Sequence, residues 1–593
     1  MSIRSARLAA ILGVVAAGCA TAPQPITRIV NGQVIETRTV SAEAYEHVAR
    51  AELYEEEERW QDAADELQRA LPFDPDAAEV RAELAELFIR LARRDDADEQ
   101  IQRSLATAPT VAGYLAAAHL AEAKAQAQKS RAQAGAAIAP LTEACRLAQE
   151  DQDADEIEVT HLELADVQMG MLDLPAALAT LRKLTDAVPE TQRGRVQLAA
   201  LAWALDQRDE AARTLKAALD DEPADVEARV LLAELSVAAG DDKAAKAGFR
   251  DAIDRADAPL EIATAFAGWL VQRGDVAEAQ RLADDLTGDV PDVASLEQAA
   301  LLERTVKRAD RALALAERAR KLGAGPGLVA LMTGAAQAAK GNPTGAVTTY
   351  LGVPKTDPQF FESRLRAAEL LRDKGKLPEA GAALDEAAGA ASDDARAADV
   401  AVARSQLEEK RGDAARAARV LDDALAAKPD DQRVIDRLIL ERASVDDHRG
   451  DWQRAAARAE EILVREPRNV EALNFAGFVA ADHAADLPRA IKRLQAAMSL
   501  SPGTGGVVDS LGWAYFKSGD LTHAAAFLEQ AGRLEPGDPE ILAHLGDLYA
   551  RRQERDRALA SYRRALTLSP SDRVARQLND RLRTLDAKSA AGR

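Results

Sequence analysis

The chain has 593 residues, 47% of them hydrophobic but only 4% aromatic, so its apolar content is largely alanine and leucine, as close-packed helices prefer. A formal charge of -22 argues against a nucleic-acid binder, because a phosphate backbone would be repelled rather than neutralised. Two cysteines, Cys19 and Cys145, imply no disulfide framework. The length would ordinarily be divided among several globular domains. A repeat array escapes that rule, because each unit buries surface only against its neighbours.

In chain order, the first segment reads as an address. Arg4 and Arg7 give a basic start, Leu8 to Ala17 an apolar run too short to span a bilayer, and Ala16 to Cys19 a small-residue site ending in cysteine. This resembles a bacterial lipoprotein signal, with Ala16 where that signal usually carries leucine. The resemblance implies cleavage before Cys19, acylation of Cys19 and, because Ala20 rather than aspartate follows, retention in the outer membrane. The alternative is an ordinary secretory signal that releases a soluble periplasmic protein. Pro23 and Pro25 keep the next stretch extended, as suits a tether. Ile26 to Val30 and Gln33 to Thr37 then flank Asn31-Gly32, which predicts a short hairpin.

From Ser41 onward a period of 34 residues sets in. Ala63, Leu67, Ala70 and Pro75 mark one unit, and Ala97, Ile101, Ser104 and Pro109 the next. A third unit is longer, from Thr110 to about Asp153, and is expected to be a lengthened helix pair. Ala177 with Pro189, and Ala211 with Pro223, restore the period. The anchors then drift, but Gly240, Gly274, Gly341, Gly375, Gly412 and Gly450 recur where one helix must turn into the next. Ala417 with Pro429, Ala455 with Pro467, and Ala490 with Pro502 lead into two sharp copies. In the first, Leu511-Gly512 is followed by Tyr515, Ala524, Leu528, Ala531 and Pro536; in the second, Leu545-Gly546 by Tyr549, Ala558, Tyr562, Ala565 and Pro570. Val574, Leu578 and Leu582 then place a closing helix after Ser571.

The two sharp copies resemble the tetratricopeptide repeat, whose signature is L-G-x-x-Y, A-x-x-x-F and a closing proline. The resemblance implies an all-α fold, an α-solenoid of antiparallel helix pairs wound as a right-handed superhelix, with about fifteen units. The organisation expected is 1–19 signal peptide, 20–40 tether with a possible hairpin, and 41–153 N-terminal repeats. Residues 154–430 follow as degenerate repeats, 431–570 as C-terminal repeats, and 571–593 as a capping helix and tail.

A search for chemistry finds little. The seven histidines are scattered, with no H-E-x-x-H and no cysteine cluster, so no metal site is supported. Gly323 to Gly327 lacks the lysine and hydroxyl of a phosphate loop, and Ser510 falls inside a helix rather than on a strand-to-helix turn. Cys145, at helical spacing from Leu141, reads as a buried inert thiol. The arginine-rich stretch from Arg551 reads as the solvated face of the last repeat and its cap. No enzyme activity and no cofactor are expected.

Tetratricopeptide repeats line their concave surface with the first helix of each unit. Carried over residue by residue, this puts Asn474 and Phe478, then Asp509, Trp513, Phe516 and Lys517, then Asp547 and Arg551 on a protein-binding face. For Trp513 a second reading is open, in which it packs on an adjacent helix. Phe478 and Trp513 stand where a carboxylate clamp would need asparagine, so that specificity is not carried over. The C-terminal copies also resemble bacterial envelope lipoproteins of this repeat class. The expected function is a non-enzymatic scaffold on the periplasmic side of the outer membrane, bound there only through its lipid. It would hold protein partners, with no nucleic acid, while an envelope or secretion complex is assembled. The alternatives are a soluble periplasmic chaperone-like protein and an accessory subunit of an enzyme complex.

Overall fold

The computed structural model describes residues 26–30, 33–37, 41–288, 290–568 and 570–591. The leader, the acylation site Cys19 and the Asn31-Gly32 turn lie outside the described residues. Ile26–Val30 and Gln33–Thr37 pair antiparallel, with Val30 opposite Gln33 and Ile26 opposite Thr37, as the alternation around Asn31-Gly32 requires. The remaining described chain is helical, and no described helix is long and apolar enough to cross a membrane.

The chain divides into two compact units, one ending at Ala123 and one beginning at Lys124. In the first, Ala42–Glu56 packs on Trp60–Ala70 and Ala78–Arg90 on Arg94–Thr107, with the helix Val111–Ala127 following. Leu67, Leu84, Leu87, Phe88 and Ile101 fill its core beside Ala116 and Leu120. Ser41 caps the first helix by accepting from the backbone N–H of Ala44 at 3.1 Å, a contact worth about 1 kcal/mol.

The second unit opens with a departure from the sequence reading. The extra residues of the third repeat do not lengthen a helix pair; they form a short helix, Arg131–Ala134, and a 3-10 turn, Gly135–Ala137, ahead of Ile138–Asp151. Gln152 in the left-handed conformation then ends that helix, and Asp153 caps the next. Counting A and B helices in order, pair 4 is Ala154–Gly170 with Leu174–Ala187, pair 5 Gln192–Ala204 with Arg208–Asp221, and pair 6 Val226–Ala239 with Asp242–Arg255. Pair 7 is Pro259–Arg273 with Val276–Thr287, pair 8 Val293–Thr305 with Ala309–Lys321, and pair 9 Pro326–Ala339 with Pro343–Leu351. Pair 10 is Phe360–Asp373 with Leu377–Ala388, pair 11 Asp394–Arg411 with Ala414–Ala426, and pair 12 Gln432–His448 with Trp452–Arg465. Pair 13 is Val470–Asp482 with Leu487–Leu500, pair 14 Gly505–Ser518 with Leu521–Leu534, and pair 15 Pro539–Arg551 with Arg555–Thr567. The closing helix is Asp572–Ala591, which buries Val574 and Leu578.

Two backbone devices repeat along this unit. The A-to-B turn always contains a residue with positive φ. Where the sequence supplies glycine, as at Gly240, Gly274 and Gly412, the conformation costs little. Leu172, Asp206, Lys307 and Gln553 adopt it at the corresponding turns without that relief. The second device is a missing side chain at the crossing of A on B. A Cβ at Gly512 would stand 2.8 Å from the backbone nitrogen of Leu528, and one at Gly546 would stand 2.2 Å from the Tyr562 ring. The glycine of the L-G signature therefore sets the closest approach of the two helix axes.

The stack of the second unit returns to itself after eight pairs. The A helix of pair 5 lies against the B helix of pair 13, and the A helix of pair 6 against the B helix of pair 14. Polar contacts continue the seam on both sides. The Arg468 guanidinium pairs with Asp166, Arg533 Nε donates to the carbonyl of Ala238 at 2.9 Å, and Trp269 Nε1 donates to the carbonyl of Arg533 at 2.9 Å. Further along, Gly537 N donates to Gln272 Oε1 at 3.2 Å, and Arg564 donates to the Gln272 carbonyl at 3.2 Å. A glycine permits the approach at one point, where a Cβ at Gly170 would stand 2.9 Å from the Pro467 ring, and at another Gly503 leaves room for the Glu234 carboxyl. Leu198 to Ala204 are buried without interruption, so this helix has no solvated stripe over its second half.

Candidate protein-binding groove

In pairs 8 to 15 the A helices leave one face open, and the hollows along it share lining residues. The first runs over Glu297, Arg304, Leu331 and Met332 to Glu362, Arg366 and Glu369. The second reuses Glu362, Arg366 and Glu369 and continues to Asp399, Gln406 and Arg437. The third, of about 1120 Å³, takes up Arg437 again and extends over the A helices of pairs 12 to 15. The result is one continuous groove floored by A helices.

Its middle stretch is balanced in charge. Arg366 donates to Glu362 at 2.8 Å and stands 3.5 Å from Glu369, and Arg437 pairs with Asp399 at 2.5 Å. Its last stretch is acidic and partly aromatic. Asn474, Phe478 and Asp509, three of the residues expected on the binding face, line it together. Asp509 is 5% exposed and accepts from His544 at 2.7 Å through Oδ2. Burial opposes the imidazolium, but the Asp509 carboxylate outweighs it and raises the His544 pKa above its ordinary value.

The other expected residues stand beside or behind this lining. Trp513 is 6% exposed, stacks on His544 at 4.1 Å and on Phe516 at 5.0 Å, and donates its indole N–H to Asp482 at 3.0 Å. It therefore forms the wall that carries His544. Lys517 sits 5.0 Å over the Trp513 ring and 3.2 Å from Asp482. Burial opposes ionisation of Asp482, yet Trp513 and Lys517 together hold its carboxyl below the usual range. Asp547 accepts from the Tyr562 hydroxyl at 2.7 Å and from Arg581 of the closing helix at 2.7 Å, so it binds the last repeat to its cap. Arg551 is exposed. Ser510 lies within a helix and donates to the Gly506 carbonyl at 2.9 Å. Burial pushes the Cys145 thiol up to about 11, which keeps it protonated at neutral pH. Among the described residues no cluster of three or more His, Cys, Asp or Glu side chains could hold a metal ion.

Sequence reasoning missed Asp436, Leu440, Ser444, Glu471 and His544, all of which line the last stretch. The signal was present. Asp436, Leu440 and Ser444 occupy the fifth, ninth and thirteenth positions of the pair 12 A helix, and Glu471 the second position of pair 13. The fifth, ninth and thirteenth positions are those that Asn474, Phe478 and Lys517 hold in their own A helices, and the second belongs to the same concave-face set. His544 is different: it occupies a sixth position and reaches the groove by lying on Trp513.

The tetratricopeptide-repeat family profile matches residues 331–395 and 510–573. No curated protein sequence matches the chain. Among solved structures, a tetratricopeptide repeat protein from Parabacteroides merdae is 15% identical, covering 43% of this chain and 98% of its own, with a TM-score of 0.35. A thermophilic repeat protein of Thermus thermophilus is 23% identical over 31% of this chain and 98% of its own, with a TM-score of 0.28. The Naa15/Naa10 complex bound to HypK is 14% identical over 93% of this chain and 97% of that one, at 0.31. Scores this low carry no argument about function. The repeat signature, the two profile matches and the helix-pair stack agree, and the chain carries tetratricopeptide repeats at 331–395 and 510–573 within a stack of helix pairs.

Proposed function

We propose that this protein is a non-enzymatic scaffold, held at the bacterial outer membrane by a lipid on Cys19 and facing the periplasm, where it supports assembly or stability of an envelope or secretion complex. The observation that carries the reading is the continuous A-helix groove of pairs 8 to 15. It presents aromatic side chains among charges, the composition that protein interfaces use. The anchor rests on the sequence, in which the cysteine directly follows a small-residue site and an apolar run.

The test compares crosslinked partners recovered from outer membranes with the wild type and with a Phe475→Ala/Phe478→Ala variant. Both phenylalanines line the groove and both are half-buried, so circular dichroism is expected to show an intact stack. Loss of a defined partner from the variant supports the scaffold; an unchanged partner set refutes groove binding. A Cys19→Ala chain is expected to leave the membrane fraction. One that stays there refutes the lipid anchor.

A further inference from the structure

We infer that the groove of pairs 12 to 15 takes a basic segment of a partner polypeptide, whose lysine or arginine head groups donate to Asp436, Asn474 and Asp509. This rests on the scaffold reading and adds the chemistry of the occupant. Seven carboxylates line this stretch, against two guanidiniums and one imidazole. One of the guanidiniums, Arg437, is already engaged by Asp399 at 2.5 Å, and the other, Arg433, stands 3.7 Å from Asp431. Arg465 pairs with Asp436, His544 with Asp509, and Arg573 stands 3.7 Å from Glu540, so the excess is only partly neutralised and the stretch stays acidic.

A row of acids would by itself be a solvated face. Here the wall also holds acceptors that are buried and unanswered. Asp436 is 5% exposed; its Oδ1 accepts from Gln432 at 2.8 Å and from Arg465, while Oδ2 has no donor among the described residues. Asp509 repeats the arrangement two A helices along, with Oδ2 on His544 and Oδ1 without a donor among the described residues. Asn474 Oδ1, on the A helix between them, is also without one. Buried acceptors in this state favour a ligand that brings N–H groups.

The spacing decides what kind. The acceptors sit on three successive A helices, and among the described residues no three acidic or imidazole groups converge as a metal would need, so several separated donors are required rather than one ion. Lysine and arginine side chains on an extended chain supply them. Leu440, Phe478 and Ile541 line the same stretch and give the aliphatic stems an apolar surface, with the Phe478 ring available to a cation. The middle groove, where Arg366 and Arg437 are matched by carboxylates, lacks this bias.

The test uses the full chain and two fluorescein-labelled peptides, one alternating lysine with leucine and the other glutamate with leucine, followed by anisotropy at about 150 mM salt. The lysine peptide is expected to bind and the glutamate peptide to fail. Asp509→Asn is expected to weaken the lysine peptide about tenfold. Because Asp509 also carries His544, the second arm changes Glu441 and Glu471, which line the same stretch on the A helices of pairs 12 and 13; a Glu441→Gln/Glu471→Gln variant is expected to lose about fivefold. Equal binding of both peptides, or a lysine-peptide affinity unchanged in both variants, overturns the inference. The scaffold is judged separately. If the phenylalanine variant loses its crosslinked partner while the charge variants keep it, the scaffold stands and the basic occupant is refuted.

Discussion

The A helices of pairs 5 and 6 and those of pairs 13 and 14 occupy the same place in the repeat, yet they meet opposite fates. In Gln192–Ala204 the residues from Leu198 onward are buried, because the B helix of pair 13 lies along them. In Val470–Asp482 a comparable backbone leaves Asn474, Phe475 and Phe478 half-buried along a groove, and Gly505–Ser518, although buried from Val507 to Ala514, still lines that groove with Gly506, Asp509 and Ser510. The difference teaches that the unit does not determine use. A helix in this stack serves the chain or a partner according to whether another turn reaches it.

The comparison breaks most visibly by deleting a large side chain on each side. Trp269→Ala removes the indole that donates to the Arg533 carbonyl, and is expected to cost about 3–5 kcal/mol and to open the seam. Hydrogen exchange should accelerate in Val226–Ala239 and Leu521–Leu534 together. Trp513→Ala should cost a similar amount, but its faster exchange should stay in pairs 13 to 15, because Trp513 supports the groove wall and not the seam.

A smaller effect separates the two regions by pH. Burial alone pushes the Glu234 carboxyl up from 4.5 to about 7, where it faces Gly503 across the seam. A raised carboxyl pKa favours the neutral form in the folded state. Its contribution is thus fully present below about pH 4.5 and is lost as pH rises through about 7, on the order of 2–3 kcal/mol. Glu234→Gln should flatten this dependence in denaturant titrations at pH 5 and pH 8, and an unchanged difference would dismiss it. Smaller again, Phe478→Ala should cost stability by about 1 kcal/mol, since its ring is only half-buried, while reducing lysine-peptide binding. The least effect is a gain: Lys307→Gly, at a left-handed turn of φ 64°, should raise stability by about 0.5–1 kcal/mol in thermal unfolding.

Much of the fold was legible in residues close together in sequence. The hairpin strands, the turn glycines and the L-G crossing all depend on neighbours within one repeat, and the structure forms each where the spacing predicts. The profile match at 331–395 falls in the stretch read as degenerate, which shows that the packing pattern survives there while the signature residues drift. The third repeat was misread because an alanine-rich segment favours helix wherever it falls; the chain breaks it at 128–130, where Lys129 takes a positive φ. The seam was not legible, since its partners are separated by almost half the chain, as Trp269 and Arg533 are. A hint existed in the unbroken apolar run Leu198 to Ala204, which leaves no polar stripe for solvent. At the groove, position alone recovered Asn474, Phe478 and Asp509, but it could not tell that Trp513 faces His544 rather than the opening.

The return of pair 13 onto pair 5 also changes the mechanics of the unit. In an open stack each repeat interface is an independent hinge, and small bends accumulate freely from one end to the other. Once the eighth neighbour is fastened back, those hinges form a closed linkage, and a bend at one must be answered by another. The span of the groove is therefore restrained before anything enters it, so a ligand meets a surface with less ordering entropy left to lose.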